Sequence, residues 1–284
     1  MRLILLLIAA LAAPVALAET MEDRDTPARN AVVSVGRCTG TLVASDIVLT
    51  AAHCLSRNLR ATKPNFLKPA ACEGLSQQAS LQKGGWEDPF HWYQIRNKKR
   101  PPIRIGPSST EPLAVHRPGA YSMAPCADMA LLRLTRPVLA AHAVPLDVVT
   151  GLPQDQVDGL LTKAQLRHAG WGMPTFPQAP SAKRQTGPVG FWGANDCHVF
   201  GLPPLRYSGP HRILAGDSGS PLLMRTSSGE VVIGVLYGRG LLDRQVCNGI
   251  SPPLPEHHGS YTQTFRTLGP IPLKDWFDRM LHNN

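Results

Sequence analysis

Three short segments of this chain hold residue types that together can activate a hydroxyl group. Thr50-Ala51-Ala52-His53-Cys54 follows the apolar run Ile47-Val48-Leu49, and Asp128 opens the run Met129-Ala130-Leu131-Leu132. Gly216-Asp217-Ser218-Gly219-Ser220-Pro221 sets a serine among closely spaced glycines. A serine hydroxyl is a weak nucleophile at neutral pH. A histidine must take its proton, and a carboxylate must orient that histidine and stabilise its charged form. Glycines let the backbone bend so that two N–H groups point one way, and an attacked carbonyl needs such donors as it becomes an oxyanion. Each segment alone has a plainer reading: a structural histidine, an exposed aspartate at a strand start, a tight turn. Together they supply every part of a nucleophilic hydrolysis.

The elements that must carry these residues read as short strands. The chain has 284 residues with 27 prolines and 25 glycines, a composition that favours many turns over long helices. Ala31–Val35, Thr39–Val43, Asp46–Thr50, Met129–Leu134, Gln165–Trp171, Glu230–Tyr237 and Gly259–Phe265 are the strand candidates, from their β-branched content and spacing. One helix stands out at the end, where Leu273, Trp276, Phe277, Met280 and Leu281 form a single apolar stripe after Pro272. Residues 56–112 read as a long, irregular insertion, and residues 174–215 as a second turn-rich stretch. No internal repeat is present.

Residues 1–18 have the form of a cleaved export signal: Arg2, the apolar run Leu3 to Ala13, then Ala16-Leu17-Ala18 before the polar Glu19. The run is shorter than the roughly 20 apolar residues of a spanning helix. Export makes disulfides the natural use of six cysteines. None forms a C-x-x-C pair, no metal is assigned, and no cofactor is expected. Charge is uneven: between Leu55 and Arg104 ten Lys/Arg face three acids, a local excess of +7 within a chain of formal charge +9. A solvated basic loop is the plain reading; attraction to an anionic surface is the sharper one. No nucleic-acid module is recognisable.

The three segments, in the order His, Asp, Ser, resemble the motifs of the chymotrypsin/trypsin family of serine endopeptidases, in a bacterial-type variant. Cys38-Thr39-Gly40-Thr41, Ala169-Gly170-Trp171-Gly172, Gly259-Ser260-Tyr261-Thr262 and the terminal helix extend the likeness over most of the mature chain. The resemblance implies an all-β fold of two packed antiparallel six-stranded β-barrels, residues 31–143 and 144–284, with a C-terminal α-helix. It implies His53 as general base and acid, Asp128 as its orienting carboxylate and Ser218 as nucleophile. The N–H groups of Gly216 and Ser218 would form the oxyanion hole, with Asp217 a structural carboxylate beneath it. Leu236, Tyr237 and Gly238 would pair with the substrate backbone, and Gly238 and Gly259 would line its side-chain pocket. A Cys38–Cys54 disulfide is implied too. For the other four cysteines an arrangement within each half pairs Cys72 with Cys126 and Cys197 with Cys247, one choice among several. A protein or peptide substrate, a monomer, and a secreted or periplasmic location complete the expectation.

Several positions depart from the family pattern. Nothing between Glu19 and Arg37 matches the Ile-Val-Gly-Gly start that pairs with the aspartate at the Asp217 position. Residues 19–30 are therefore a segment whose processing at Arg29 is open, and activity independent of that ion pair is expected. Leu214 replaces a cysteine and Ser220 a glycine. Leu236 stands where a polar residue often supports the triad aspartate. Arg212 falls at the pocket bottom in a gapless count, which would suit an acidic residue before the scissile bond. The rival reading is an idle family member that binds anionic surfaces through its basic insertion.

Overall fold

The computed structural model of the chain describes residues 25–55, 90–95, 100–124, 127–172, 184–194, 198–202, 213–239, 259–265 and 272–282. The expected export signal, Arg212, Cys72, Cys126, Cys197, Cys247 and most of the basic cluster lie outside these residues.

The first half is one antiparallel sheet. Its strands are β1 (Val32–Val35), β2 (Cys38–Ala44), β3 (Ile47–Thr50), β4 (Tyr93–Gln94), β5 (Ile103–Ile105), β6 (Ala114–His116), β7 (Pro118–Met123) and β8 (Ala130–Leu134). They lie in the order β4-β7-β8-β3-β2-β1-β5-β6. All four residues of β3 are buried, as expected of an apolar run at the centre of a curled sheet. The second half holds β9 (Leu166–Gly170), β10 (Gln185–Ala194), β11 (His198–Leu202), β12 (Pro221–Thr226), β13 (Gly229–Arg239) and β14 (Gly259–Gln263). These close into a six-stranded barrel, β10-β11-β14-β13-β12-β9. A short helix α1 (Val157–Leu161) precedes the barrel.

The all-β reading with a terminal helix holds, and the second barrel has the expected six strands. The first sheet differs: it has eight strands, and its outer strands β4 and β6 are not paired with each other among the described residues. Part of the extra pairing comes from the stretch read as irregular. Ile103–Ile105 hydrogen-bonds to β1 through the pairs Ser34–Arg104 and Val35–Ile103. Strands of two or three residues between prolines carry too few alternations to be seen as strands in sequence.

Helix α2 (Leu273–His282) ends the described chain, with Leu273, Trp276, Phe277 and Met280 buried. The predicted stripe is thus the packed face. It shares a core cluster made mostly of first-half residues, together with Ala169, Leu223, Val232 and Val235 of the barrel, and Trp276 Nε1 donates to Ser122 Oγ of β7 at 3.2 Å. Burying a tryptophan and a phenylalanine there stabilises by about 2–3 kcal/mol each on an area basis, so the chain's end holds its beginning in place. Among the described residues no helix is long and apolar enough to cross a membrane.

Candidate active site

β3 and β8 are antiparallel neighbours with Thr50 opposite Ala130. The end of β3 therefore meets the start of β8, and the residues just past each strand leave the sheet on the same side. His53 follows Thr50 by three residues and Asp128 precedes Ala130 by two. They meet there: Nδ1 of His53 lies 2.6 Å from Asp128 Oδ2, and the backbone N–H of His53 donates to Oδ1 at 2.8 Å. Asp128 is 4% exposed while the His53 side chain is 20% exposed. The carboxylate is shut from water and the imidazole still reaches the surface. A buried carboxylate needs such donors, and two from one residue fix the ring's position.

The disulfide Cys38–Cys54 is present, as the resemblance implied. It ties the residue after His53 to the start of β2. Cys54 Sγ also touches the Ser218 carbonyl oxygen at 3.7 Å, so the serine turn packs against the histidine turn. Gly216 and Gly219 have φ of 98° and 85°, values that disfavour any side chain. At Gly219 a Cβ would also collide with the Thr39 carbonyl and the Thr50 hydroxyl. Among the described residues neither the Gly216 nor the Ser218 N–H donates to a protein acceptor, which leaves two donors two residues apart in the serine turn.

Asp217 is 3% exposed. Its Oδ2 accepts from Leu214 N–H at 2.8 Å. Its Oδ1 has no hydrogen-bond partner among the described residues, with His168 Nε2 at 3.8 Å. The other imidazole nitrogen of His168 lies 3.1 Å from the Tyr261 hydroxyl. Burial, and secondarily the Asp217 charge, push the Tyr261 phenol well above the usual tyrosine range. The absent side chains of Gly170 and Gly172 make room for the Asp217 carboxylate. A cavity beside it is lined by His168, Gly172, Thr186, Val189, Ile213 and Asp217.

Leu236, Tyr237 and Gly238 lie on β13. Leu236 is buried in the second core, and its backbone brackets the serine turn: Gly219 N–H donates to its carbonyl, and its N–H donates to Ser220 O, both at 2.8 Å. β13 is bulged between Leu236 and Gly238, a device that re-aims side chains. The Tyr237 ring stands edge-on to His53 with centroids 5.9 Å apart. Gly238 and Arg239 pair with Ser260 and Gly259 of β14 but lie past Pro221–Val235, the last β12 pair. No strand flanks their other edge among the described residues. At Gly259 a Cβ would meet the Ile213 and Tyr261 side chains, so those two fill the space that its missing side chain leaves.

Sequence reasoning missed two participants. In sequence Thr39 shows only as part of the segment Cys38-Thr39-Gly40-Thr41, and His168 only as an unnamed position of the strand candidate Gln165–Trp171. His168 had one usable signal: it stands two residues before Gly170 in β9, on the face that the barrel closes over. Residues able to hold a metal do not gather anywhere among the described ones.

Compared with known proteins, residues 20–84 match the family model described as Trypsin. The match takes in His53 and both cysteines of the bridge. No curated protein matches the chain.

Proposed function

We propose that this chain, whose residues 20–84 match the Trypsin family model, is an exported endopeptidase of the chymotrypsin/trypsin-like serine protease family that cuts peptide bonds by acylating Ser218. The observation that carries the reading is the double contact of His53 with the buried Asp128 carboxylate, made at the turn against which the Ser218 turn packs. Asp128 accepts a hydrogen bond from the Nδ1–H of His53, which keeps the proton on Nδ1, so that Nε2 is free to take the proton of the Ser218 hydroxyl. The serine oxygen attacks the scissile carbonyl and the imidazolium then protonates the leaving amine. Water repeats the sequence to release the acid. The N–H groups of Gly216 and Ser218 meet the oxyanion of each tetrahedral intermediate.

The substrate lies along β13 past Leu236 as an added strand, held by main-chain hydrogen bonds. The edge of Gly238 and Arg239 supports this. Export is supported by the form of residues 1–18, and the Cys38–Cys54 bridge fits an oxidising compartment. The test is labelling by a fluorophosphonate probe, with cleavage of a peptide library to report preference. Wild type is expected to label and Ser218→Ala not to. A folded wild type that neither labels nor cleaves would instead favour binding to anionic surfaces.

A further inference from the structure

Thr39 is the second residue of β2 and is wholly buried. It pairs with Ser34 of β1 on one edge. On the other edge the pairing with β3 begins one residue later, at Gly40–Thr50. The polar atoms of Thr39 are thus available beyond the ladder, and all of them are used. Its N–H donates to Ser218 O at 2.9 Å. Its carbonyl accepts from Thr50 Oγ1 at 2.7 Å. Its hydroxyl accepts from Trp171 N–H at 2.9 Å and donates to Gly216 O at 3.2 Å. A hydroxyl has one proton and two lone pairs, so giving to a carbonyl while taking from an N–H is a complete assignment. One buried side chain thereby joins the first sheet, the residue after β9, and the serine turn.

We propose that Thr39 is a positioning residue whose hydroxyl holds the oxyanion turn in its reactive shape. The inference rests on the reading of Ser218 as nucleophile. The Gly216 carbonyl belongs to the peptide that leads into Asp217. Anchoring it to Thr39 restrains rotation of Gly216, whose φ of 98° only glycine adopts readily. Glycine gives that turn its shape and also leaves it free to rotate about ψ, which would swing the Gly216–Asp217 peptide and spoil the common aim of the Gly216 and Ser218 N–H groups. By holding the Gly216 carbonyl the hydroxyl opposes that rotation. Valine has nearly the same shape and suits a strand, but it would leave the Trp171 N–H and the Gly216 carbonyl buried and unpaired.

The test compares Thr39→Val, Thr39→Ala and Thr39→Ser with wild type, with rates taken per titrated active site. Thr39→Val and Thr39→Ala are expected to lower kcat by about 10²-fold, the scale of losing one oxyanion donor, with KM within about twofold. Thr39→Ser, which keeps the hydroxyl, is expected to stay within about fivefold of wild type. A peptide aldehyde built on the best library substrate, which forms a tetrahedral adduct, should lose affinity in step with kcat. Per-site kcat within about threefold of wild type in both apolar variants overturns the proposal. So does activity that falls only with the fraction of folded protein. If wild type neither labels nor cleaves, the reading of Ser218 fails by itself. Amide exchange at Trp171 then still decides the clamp: it accelerates in Thr39→Val but not in Thr39→Ser, or the clamp is wrong.

Discussion

The two oxygens of Asp128 serve two donors of a single residue, the backbone N–H of His53 at 2.8 Å and its Nδ1 at 2.6 Å. The pairing holds the imidazole at both its root and its ring, and it gives each carboxylate oxygen a separate task. The backbone contact belongs to the turn. The ring contact suits the tautomer that the proposed chemistry requires.

That division predicts the outcome of Asp128→Asn. The amide oxygen will stay with the His53 N–H, since only an acceptor fits there, and the NH₂ must then face Nδ1. Nδ1 becomes an acceptor and Nε2 carries the proton, so His53 no longer takes one from Ser218. The expected loss is about 10⁴-fold in kcat with little change in the melting transition. Steady-state kinetics on a library-derived peptide, beside a thermal melt, check this. A loss of under about tenfold would mean that the tautomer is not set by Asp128.

Removing the disulfide separates stability from chemistry. Cys38 and Cys54 close a sequence separation of 16 residues, worth about 3 kcal/mol on the chain-entropy estimate. The double change to alanine is expected to lower unfolding free energy by that amount in a urea titration. Because the bridge also ties the residue after His53 to β2, kcat should fall as well, and more steeply as the temperature approaches the lowered melting point.

The site was legible in sequence to different depths, for physical reasons. His53, Asp128 and Ser218 stand out because the proposed nucleophilic catalysis demands those residue types, and Cys38 and Cys54 because the proposed export gives paired cysteines a use. β3 and β8 showed as apolar runs, and helix α2 as a stripe of period 3.6. β10 did not show: Gly187, Pro188, Gly190 and Gly193 interrupt any alternation. It is a strand because β9 pairs with it residue by residue from Gln185–Gly170 to Val189–Leu166, a tertiary effect that overrides local propensity. The role of Thr39 was hidden for a related reason. Its partners Trp171 and Gly216 are more than a hundred residues away in sequence, and no local pattern marks a hydroxyl that joins two halves.

The segment before β1 makes a further prediction. Asn30 is buried. Its Nδ2 donates to Asp25 Oδ1 at 2.7 Å and to His142 O at 3.1 Å, and its Oδ1 accepts from the buried Arg184 at 3.2 Å. Cutting after Arg29 would detach the Asp25 partner, and cutting after Asn30 would remove all three bonds, one of them to a buried charge. A chain beginning at Ala31 is expected to be about 3 kcal/mol less stable than one beginning at Glu19, and no more active. Turnover and urea midpoints of the two chains decide the matter. An inactive longer chain that gains activity on trimming would show that processing, not the intact segment, makes the site.

His116 predicts how stability depends on pH. It ends β6 opposite Ile103, is buried, and has no partner for Nδ1 among the described residues. Burial holds its pKa below the ordinary 6.5, the Arg136 charge lowers it further, and His142 adds a smaller push the same way; a backbone hydrogen bond with Arg136 offsets only part. The unfolded chain takes up a proton near the ordinary value, whereas the folded chain resists until lower pH. The stability contributed by the neutral ring is therefore full above about 6.5 and is lost as the pH falls through the lowered folded value. In His116→Gln that loss disappears. Urea midpoints taken from about pH 8 down to about pH 5 should fall less steeply for the variant than for wild type, whatever the offset between them at the alkaline end. Parallel curves would mean that His116 protonates equally well in both states, and that its burial is tolerated rather than opposed to charge.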